Sequence, residues 1–417
     1  MKAAPPASAS GTLPWFSPTW LLVALVAAGC CAIVLAPGLL PALGILDYGR
    51  WFLDSYIILA ANDAVAAGLN PFDPIPYDRL GRGHVYSEWW LELGRLGLTR
   101  ADNFLFGSAC VLGFIIVVIA SVRPRSFLQA AWTALITLSP PFLLAVNRAN
   151  NDLVIFILIG IPLLLLRGPP AAWKPLLLAV VLVIATGLKY YPIVALASLA
   201  LFVRPTQQGR WLTGGAGALA LLVLWSERTA MARGVFPFPD SIYLFGAPII
   251  WRDLNLNSAT TLLLSTTAIA LAAGWLVRRQ FTVGLNEPRP GTEGDRWMFA
   301  VGALILTGCF LAGTSFAYRW IFALWLCPWL WSLRVHGRHP TVAKAALGLL
   351  LLNVWLDGLY CLVLNLWIQH LPPLLPTVWR YATQPLNWIL IALLAGWLLD
   401  AALSTIDRHS RRQSPEN

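Results

Sequence analysis

Long apolar runs recur along this chain from Leu21 to Leu403, each approaching the roughly 20 residues that a helix needs to cross a bilayer. No other feature constrains the fold as strongly. In lipid every backbone N–H and C=O must pair within the protein, so runs of this kind fold as helices. A transmembrane barrel would show alternating segments instead, and these runs are continuous. Only 12% of the residues are charged, against about 25% in soluble domains. The expected fold is an all-α polytopic membrane protein, one integral domain over 1–417. Spans are expected near 20–43, 105–122, 126–146, 152–166, 174–188, 190–204, 210–226, 259–278, 297–314, 319–335, 341–364 and 385–405, about twelve transmembrane helices in all. "VAAGCC" loosely resembles a lipoprotein cleavage site, but Ala27 stands where Leu or Val is preferred, so the first span is read as uncleaved.

The net charge is +10, yet its distribution argues against a nucleic-acid partner. The cations fall in short turns: Arg123 with Arg125, Arg167 with Lys174, Arg204 with Arg210, Arg278 with Arg279, and Arg334 with Arg338 and Lys344. The tail at 405–417 adds Arg408, Arg411 and Arg412. The positive-inside rule puts all of these, and both termini, in the cytoplasm. The long loops 44–104, 227–258 and 365–384 then face outward, as do the short turns 147–152, 187–191 and 313–319. Function is expected at that outer face. The six cysteines lie inside apolar runs and read as small core residues.

The outer turns are unusually polar. "NRANND" puts Asn147, Arg148, Asn150, Asn151 and Asp152 between two apolar stretches, where a turn needs only a cap. Five such side chains suggest the floor of a polar substrate cavity, and Arg148 and Asp152, four apart, have the spacing of a helical ion pair. "GLKYYP" places Lys189 beside Tyr190 and Tyr191, and "GTSFAYRW" places Arg319 beside Tyr318. A cation at the outer end of a span either snorkels to the headgroups or holds an anion such as phosphate.

The first outer loop reads as an amphipathic helix from Asp54 to Ala67, stopped by Gly68 and suited to the membrane interface. Asp47 and Asp54 are candidate general bases, though Asp54 also suits an N-cap and Asp47 a solvated loop acid. His84, in the same loop, is a candidate sugar or phosphate ligand. Trp89, Trp90, Trp251 and Trp367 could stack on sugars, and His370 lies in an outer loop. Asp357, with Asn353 one turn earlier, is the one acid deep inside a span and is a functional candidate by that position. No spacing of His, Cys, Asp or Glu suits a metal, and no cofactor is expected.

Taken together, Asp54 followed by "GLNPF", the Asn-rich turn, "LKYYP" and "YR" at 318–319 resemble the GT-C glycosyltransferases. The nearest likeness is to glycosyltransferase family 87, the polyprenol-phosphate-mannose-dependent group. Asp54 precedes Gly68 by the family's usual interval, with Phe72 where Tyr is usual, and no DxD pair is present. The resemblance covers roughly 45–335. It implies a GT-C-like bundle and an inverting transfer of a sugar, mannose favoured, from a polyprenyl-phosphate donor to a hydroxyl of a glycan or glycolipid acceptor. Asp54 or Asp47 would be the base, Lys189 and Arg319 with Tyr190 and Tyr318 would hold the donor phosphate, and the setting would be a bacterial inner membrane. A polymerase or ligase of lipid-linked oligosaccharides, or a flippase, stays open as an alternative.

Overall fold

The computed structural model describes residues 17–45, 51–78, 80–233, 243–254, 256–285, 293–367 and 375–413. It is almost entirely helical. Thirteen helices carry the architecture: α1 (Pro18–Leu35), α2 (Leu53–Ala66), α3 (Asn103–Val122), α4 (Phe127–Thr137), α5 (Pro140–Arg148), α6 (Asp152–Leu165), α7 (Trp173–Lys189), α8 (Gln207–Ser226), α9 (Ser258–Arg278), α10 (Glu293–Ala312), α11 (Cys327–His336), α12 (Pro340–Trp367) and α13 (Leu375–Gln413). The described strands are two residues each: β1 (Leu244–Phe245) pairs antiparallel with β2 (Ser315–Phe316).

Caps set the helix starts. Ser17 accepts from Trp20 N at 3.3 Å before Pro18 opens α1, and Ser126 accepts from Gln129 N at 3.2 Å at the start of α4. Pro140 and Pro141 cannot continue α4, so the chain bends by 56° into α5.

Six helices among the described residues are long and apolar enough to cross a bilayer, or seven if the bent α4–α5 pair is one span. The expected count of about twelve is not reached. All twelve expected segments contain helix, but several are short, less apolar or broken. α6 has 14 residues, and the 190–204 segment is a 3₁₀ stretch (Tyr191–Leu196) followed by a short helix. α13 begins at Leu375, inside the expected loop 365–384, and runs through Pro385.

The 319–335 segment is a buried pillar. A 3₁₀ stretch, Ala317–Trp325, leads directly into α11. At about 2.0 Å per 3₁₀ residue and 1.5 Å per α residue the pair still reaches roughly 30 Å, a bilayer's hydrocarbon depth. Trp320, Trp325 and Trp329 along it are fully buried, and Trp325 stacks on Phe156 of α6 at 4.5 Å.

This pillar orders everything around it. Arg319 stands at one end and Arg334 at the other. α6 starts at Asp152 and is followed by Arg167, α7 has Lys174 in its first turn and Lys189 at its end, and the α4–α5 pair follows Arg125 and ends at Arg148. The turns expected outside therefore converge at one end, and several of the cationic turns expected inside converge at the other. An impermeant thiol reagent is accordingly expected to label Leu96→Cys, an exposed position of the first loop, from one face of sealed vesicles, and Arg338→Cys only from the opposite face. In a background lacking Cys31, labelling of both from the same side would refute the alternation.

α2 departs from its expected setting. It forms over the expected residues and ends as expected: Gly68 takes φ +74°, Leu69 N bonds to Ala64 O at 2.9 Å and Gly68 N to Val65 O at 3.0 Å. However, it is not a peripheral helix with one wet face. Leu53 through Asn62 are all buried. Asn62 explains this locally: its amide donates to Trp90 O (3.1 Å) and its carbonyl accepts from Gly94 N (2.7 Å), stitching the 3₁₀ stretch Glu88–Leu96 over the helix.

Two further expectations resolve as structure. Asp357 accepts from Trp379 Nε1 at 3.0 Å and Asn353 donates to Leu386 O at 3.3 Å, so both tie α12 to α13. The six cysteines are all unpaired; Cys110, Cys309 and Cys327 are buried as expected of core residues, whereas Cys30 and Cys361 are half-buried and Cys31 is exposed.

Candidate functional site

The site is built where α2, α5, α6, α7 and the pillar meet. At the start of α2, Phe52 takes a left-handed φ of +66°, which a bulky residue adopts only at a cost of order 1–3 kcal/mol. Two contacts hold it: Phe52 N donates to Asn147 O at 2.7 Å, and its ring lies where any side chain at Gly107 would stand. This turn sends Asp54 inward.

Asp54 is met by α5. Arg148 clamps it with two hydrogen bonds, at 2.9 and 2.6 Å, and Asn150 donates to it at 2.6 Å. Arg82, from the loop after α2, approaches to 3.9 Å while gripping Asp78 with two bonds of 2.9 Å. Burial by itself would push the Asp54 carboxyl up. The Arg148 guanidinium, helped by the hydrogen bonds and by Arg82, outweighs burial and holds it below the usual carboxylate range.

Asp152 begins α6 and forms the second ionic centre. Lys189 reaches it at 2.6 Å, Arg319 donates to both of its oxygens at 2.6 Å, and Tyr191 Oη donates at 2.8 Å. Asn150 joins the two centres: its amide faces Asp54 and its carbonyl accepts from Lys189 at 3.0 Å. Lys189 also donates to Asn151. Tyr86 and Tyr318 each present a ring to the Lys189 ammonium, at 5.7 and 5.5 Å.

Seven of the residues that sequence reasoning assigned to this face, Asp54, Arg148, Asn150, Asn151, Asp152, Lys189 and Arg319, thus form one buried network, with Tyr318 beside it. Others stand elsewhere. The Arg148–Asp152 pair expected from their spacing does not form, because Ala149 turns left-handed (φ +40°) and ends α5 between them. Tyr190 is not at the cations: its own left-handed turn (φ +42°) sends its hydroxyl toward Glu227 at 3.4 Å, and Tyr191 takes the inner place, under Arg319 at 4.2 Å. Asn147 contributes its backbone to the Phe52 turn. Trp90 donates to Leu188 O at 2.9 Å, the Trp89 ring fills the space beside Gly187, and Trp251 donates to Ser265 at 2.9 Å, so these three are framework. Asp47 and His370 lie outside the described residues, as does the side chain of Trp367.

His84 is buried in the first loop, and its Nδ1 has no partner. It is 2% exposed, and its Nε2 pairs with Ser87 O at 3.0 Å. Burial pushes the imidazole down to about 4, with the Ser87 carbonyl opposing. An unfolded chain binds that proton near the ordinary value of 6.5, so between pH 6.5 and 4 the unfolded state holds more protons and stability falls as pH falls. His84→Gln is expected to flatten the acid side of a thermal-stability profile in that window. An unchanged profile would count against the buried, neutral imidazole.

Arg82 was missed. Its signal is "GRG": Gly81 is left-handed (φ +62°), and a Cβ at Gly83 would strike Phe72 O at 2.3 Å, so the two glycines thread an arginine tightly against the site.

The network has capacity to spare. Four cations (Arg82, Arg148, Lys189, Arg319) face three carboxylates (Asp54, Asp78, Asp152), leaving one net positive charge. Asn151 Nδ2 and Arg319 Nε are buried donors with no acceptor. Beside the network lies an apolar cavity of about 370 Å³ between α1, α3 and α5, with Phe52 and Asn147 on its wall. Comparison of the chain with protein families, with curated proteins and with solved structures gives no significant match in any of the three.

Proposed function

We propose that this chain is an inverting glycosyltransferase of GT-C type that takes a sugar, mannose favoured, from a polyprenyl-phosphate donor to a hydroxyl of a glycan or glycolipid at the extracytoplasmic face of a bacterial inner membrane. The observation that carries the reading is the buried network. Its one surplus positive charge suits the single negative charge of a phosphodiester, and its two unpartnered donors suit phosphate or sugar oxygens. The apolar cavity against Phe52 suits the first part of a lipid chain.

In this reading Lys189 and Arg319 hold the donor phosphate and stabilise the charge it gains as the glycosidic bond breaks. Asp54 removes the proton from the acceptor hydroxyl as that oxygen attacks the anomeric carbon in line, so configuration inverts. As found, Asp54 is held by Arg148 and is a weak base. Donor phosphate competes for Arg148, and drawing that guanidinium away restores proton affinity to the carboxylate. Donor binding thereby prepares the base.

The test is chemical. Purified protein is mixed with radiolabelled polyprenyl-phosphate mannose and a glycolipid extract, and label should move from the donor to the acceptor fraction. Lys189→Ala and Arg319→Ala should each weaken donor use by about tenfold or more, the worth of one charge-assisted hydrogen bond. Failure of polyprenyl-phosphate hexoses to bind or react, with folded protein, would refute the reading. A flippase is disfavoured because Trp320, Trp325 and Phe322 of the pillar and Phe156 of α6 are buried together between the two polar ends.

A further inference from the structure

The end of the molecule opposite the network holds a second built site. A cavity of about 940 Å³ opens where the ends of α3, α6 and α11 meet the starts of α4, α10 and α12. Arg123, Arg125, Arg167, Arg334 and Lys344 line it, and Asp295 is the one acid among its lining residues. That acid is already spent. Arg167 donates to it at 2.9 and 2.6 Å, and bonds as well to Ala120 O (3.0 Å) and Ser121 O. Among the described residues no carboxylate pairs with the other four cations, so the recess carries four positive charges uncompensated. Arg334 lies on the Trp331 ring at 4.4 Å, and the Trp331 indole N–H is buried without an acceptor.

The lip is apolar. Leu128 and Val335, both lining residues, are 59% and 66% exposed. A soluble anion would have no use for that lip. An amphiphile with an anionic head and acyl chains fits both parts, and basic pockets between helices at the cytoplasmic surface bind such headgroups.

We propose that this recess binds an anionic glycerophospholipid, with a headgroup of two phosphates preferred over one because four cations are unpaired. The phosphates lie among Arg123, Arg125, Arg334 and Lys344, the Trp331 N–H donates to a phosphate oxygen, and the chains run over Leu128 and Val335. This site is separate from the proposed transfer chemistry and stands or falls without it.

The full-length protein is reconstituted in phosphatidylcholine nanodiscs with or without a fifth of the lipid as cardiolipin, re-extracted in mild detergent, and the retained lipid is counted by native mass spectrometry. Wild type should keep cardiolipin. The triple variant R125A/R334A/K344A, altered at three cations that pair with no carboxylate among the described residues, should lose at least about tenfold in retention. The control R204A/R210A/R278A removes as many cations outside the recess and should retain cardiolipin as wild type does. Equal retention by wild type and the recess variant overturns the site, as does equal loss in the two triple variants, which would reduce it to general surface charge. Displacement of cardiolipin by millimolar inorganic phosphate would show a free-anion site and overturn the lipid assignment.

Discussion

Asp54→Asn is expected to lower sugar transfer by about 10²–10⁴-fold, the usual contribution of a general base. The substitution keeps the shape and one oxygen that can still accept from Arg148 or Asn150, so the turn at Phe52 and the start of α2 have no steric reason to change. What it removes is the ability to take a proton. It also leaves Arg148, a half-buried cation, without its counter-charge, and that has a structural cost which must be separated from the chemistry. Asp78→Asn supplies the comparison. Unlike Asp54, which Arg148 and Asn150 hold, Asp78 is bonded to Arg82 of the same loop at 2.9 Å. It should keep transfer within roughly tenfold of wild type while losing a similar ion pair. Thermal stabilisation by polyprenyl phosphate should persist in both. If Asp54→Asn transfers at near the wild-type rate while Asp47→Asn is inactive, the base is Asp47. If both variants remain active on a verified donor, no carboxylate base of this loop takes part.

The sequence made the location of the network legible but not its pairing. "NRANND", "GLKYYP" and "AYRW" each put more polarity than a turn requires at the same side of an apolar chain, and side alternation follows from where the cations fall. Those facts need no tertiary knowledge. Which charge meets which does need it. Spacing pointed to Arg148 with Asp152, and one left-handed residue, Ala149, separates them so that each finds a partner more than ninety positions away in one case and more than thirty in the other. The choice between Tyr190 and Tyr191 was lost for the same reason: a turn at Tyr190 reverses which ring faces inward. The enclosure of the pillar was not legible, because hydropathy does not distinguish a helix in lipid from one enclosed by other helices, and Trp320 to Trp329 is apolar for the second reason. α2 shows the converse: its pattern is amphipathic, but its polar face is satisfied by protein, through Asp54, Ser55 and Asn62, rather than by water.

Asp152→Ala is expected to destabilise the protein by about 3–5 kcal/mol, because removing one partner of a buried ionic group leaves the others without compensation. Here two cations, Lys189 and Arg319, lose a carboxylate with fully buried side-chain oxygens. The size of that loss alone would be the same for a purely structural network. The distinguishing measurement is rescue. If these two cations hold the donor phosphate, an anion placed there substitutes for the missing carboxylate, and polyprenyl phosphate at saturating concentration should raise the melting temperature of Asp152→Ala by more than that of wild type, since stabilisation grows as RT ln(1 + [L]/Kd) and the variant no longer offers an internal competitor. The double variant D152A/R319A should recover part of the lost stability, one stranded charge having gone with its partner, but should lose the enhanced rescue. Equal ligand shifts in wild type and Asp152→Ala would mean that Lys189 and Arg319 are framework alone, and the phosphate site of the proposed reaction would have to be sought around Arg82 and Arg148 instead.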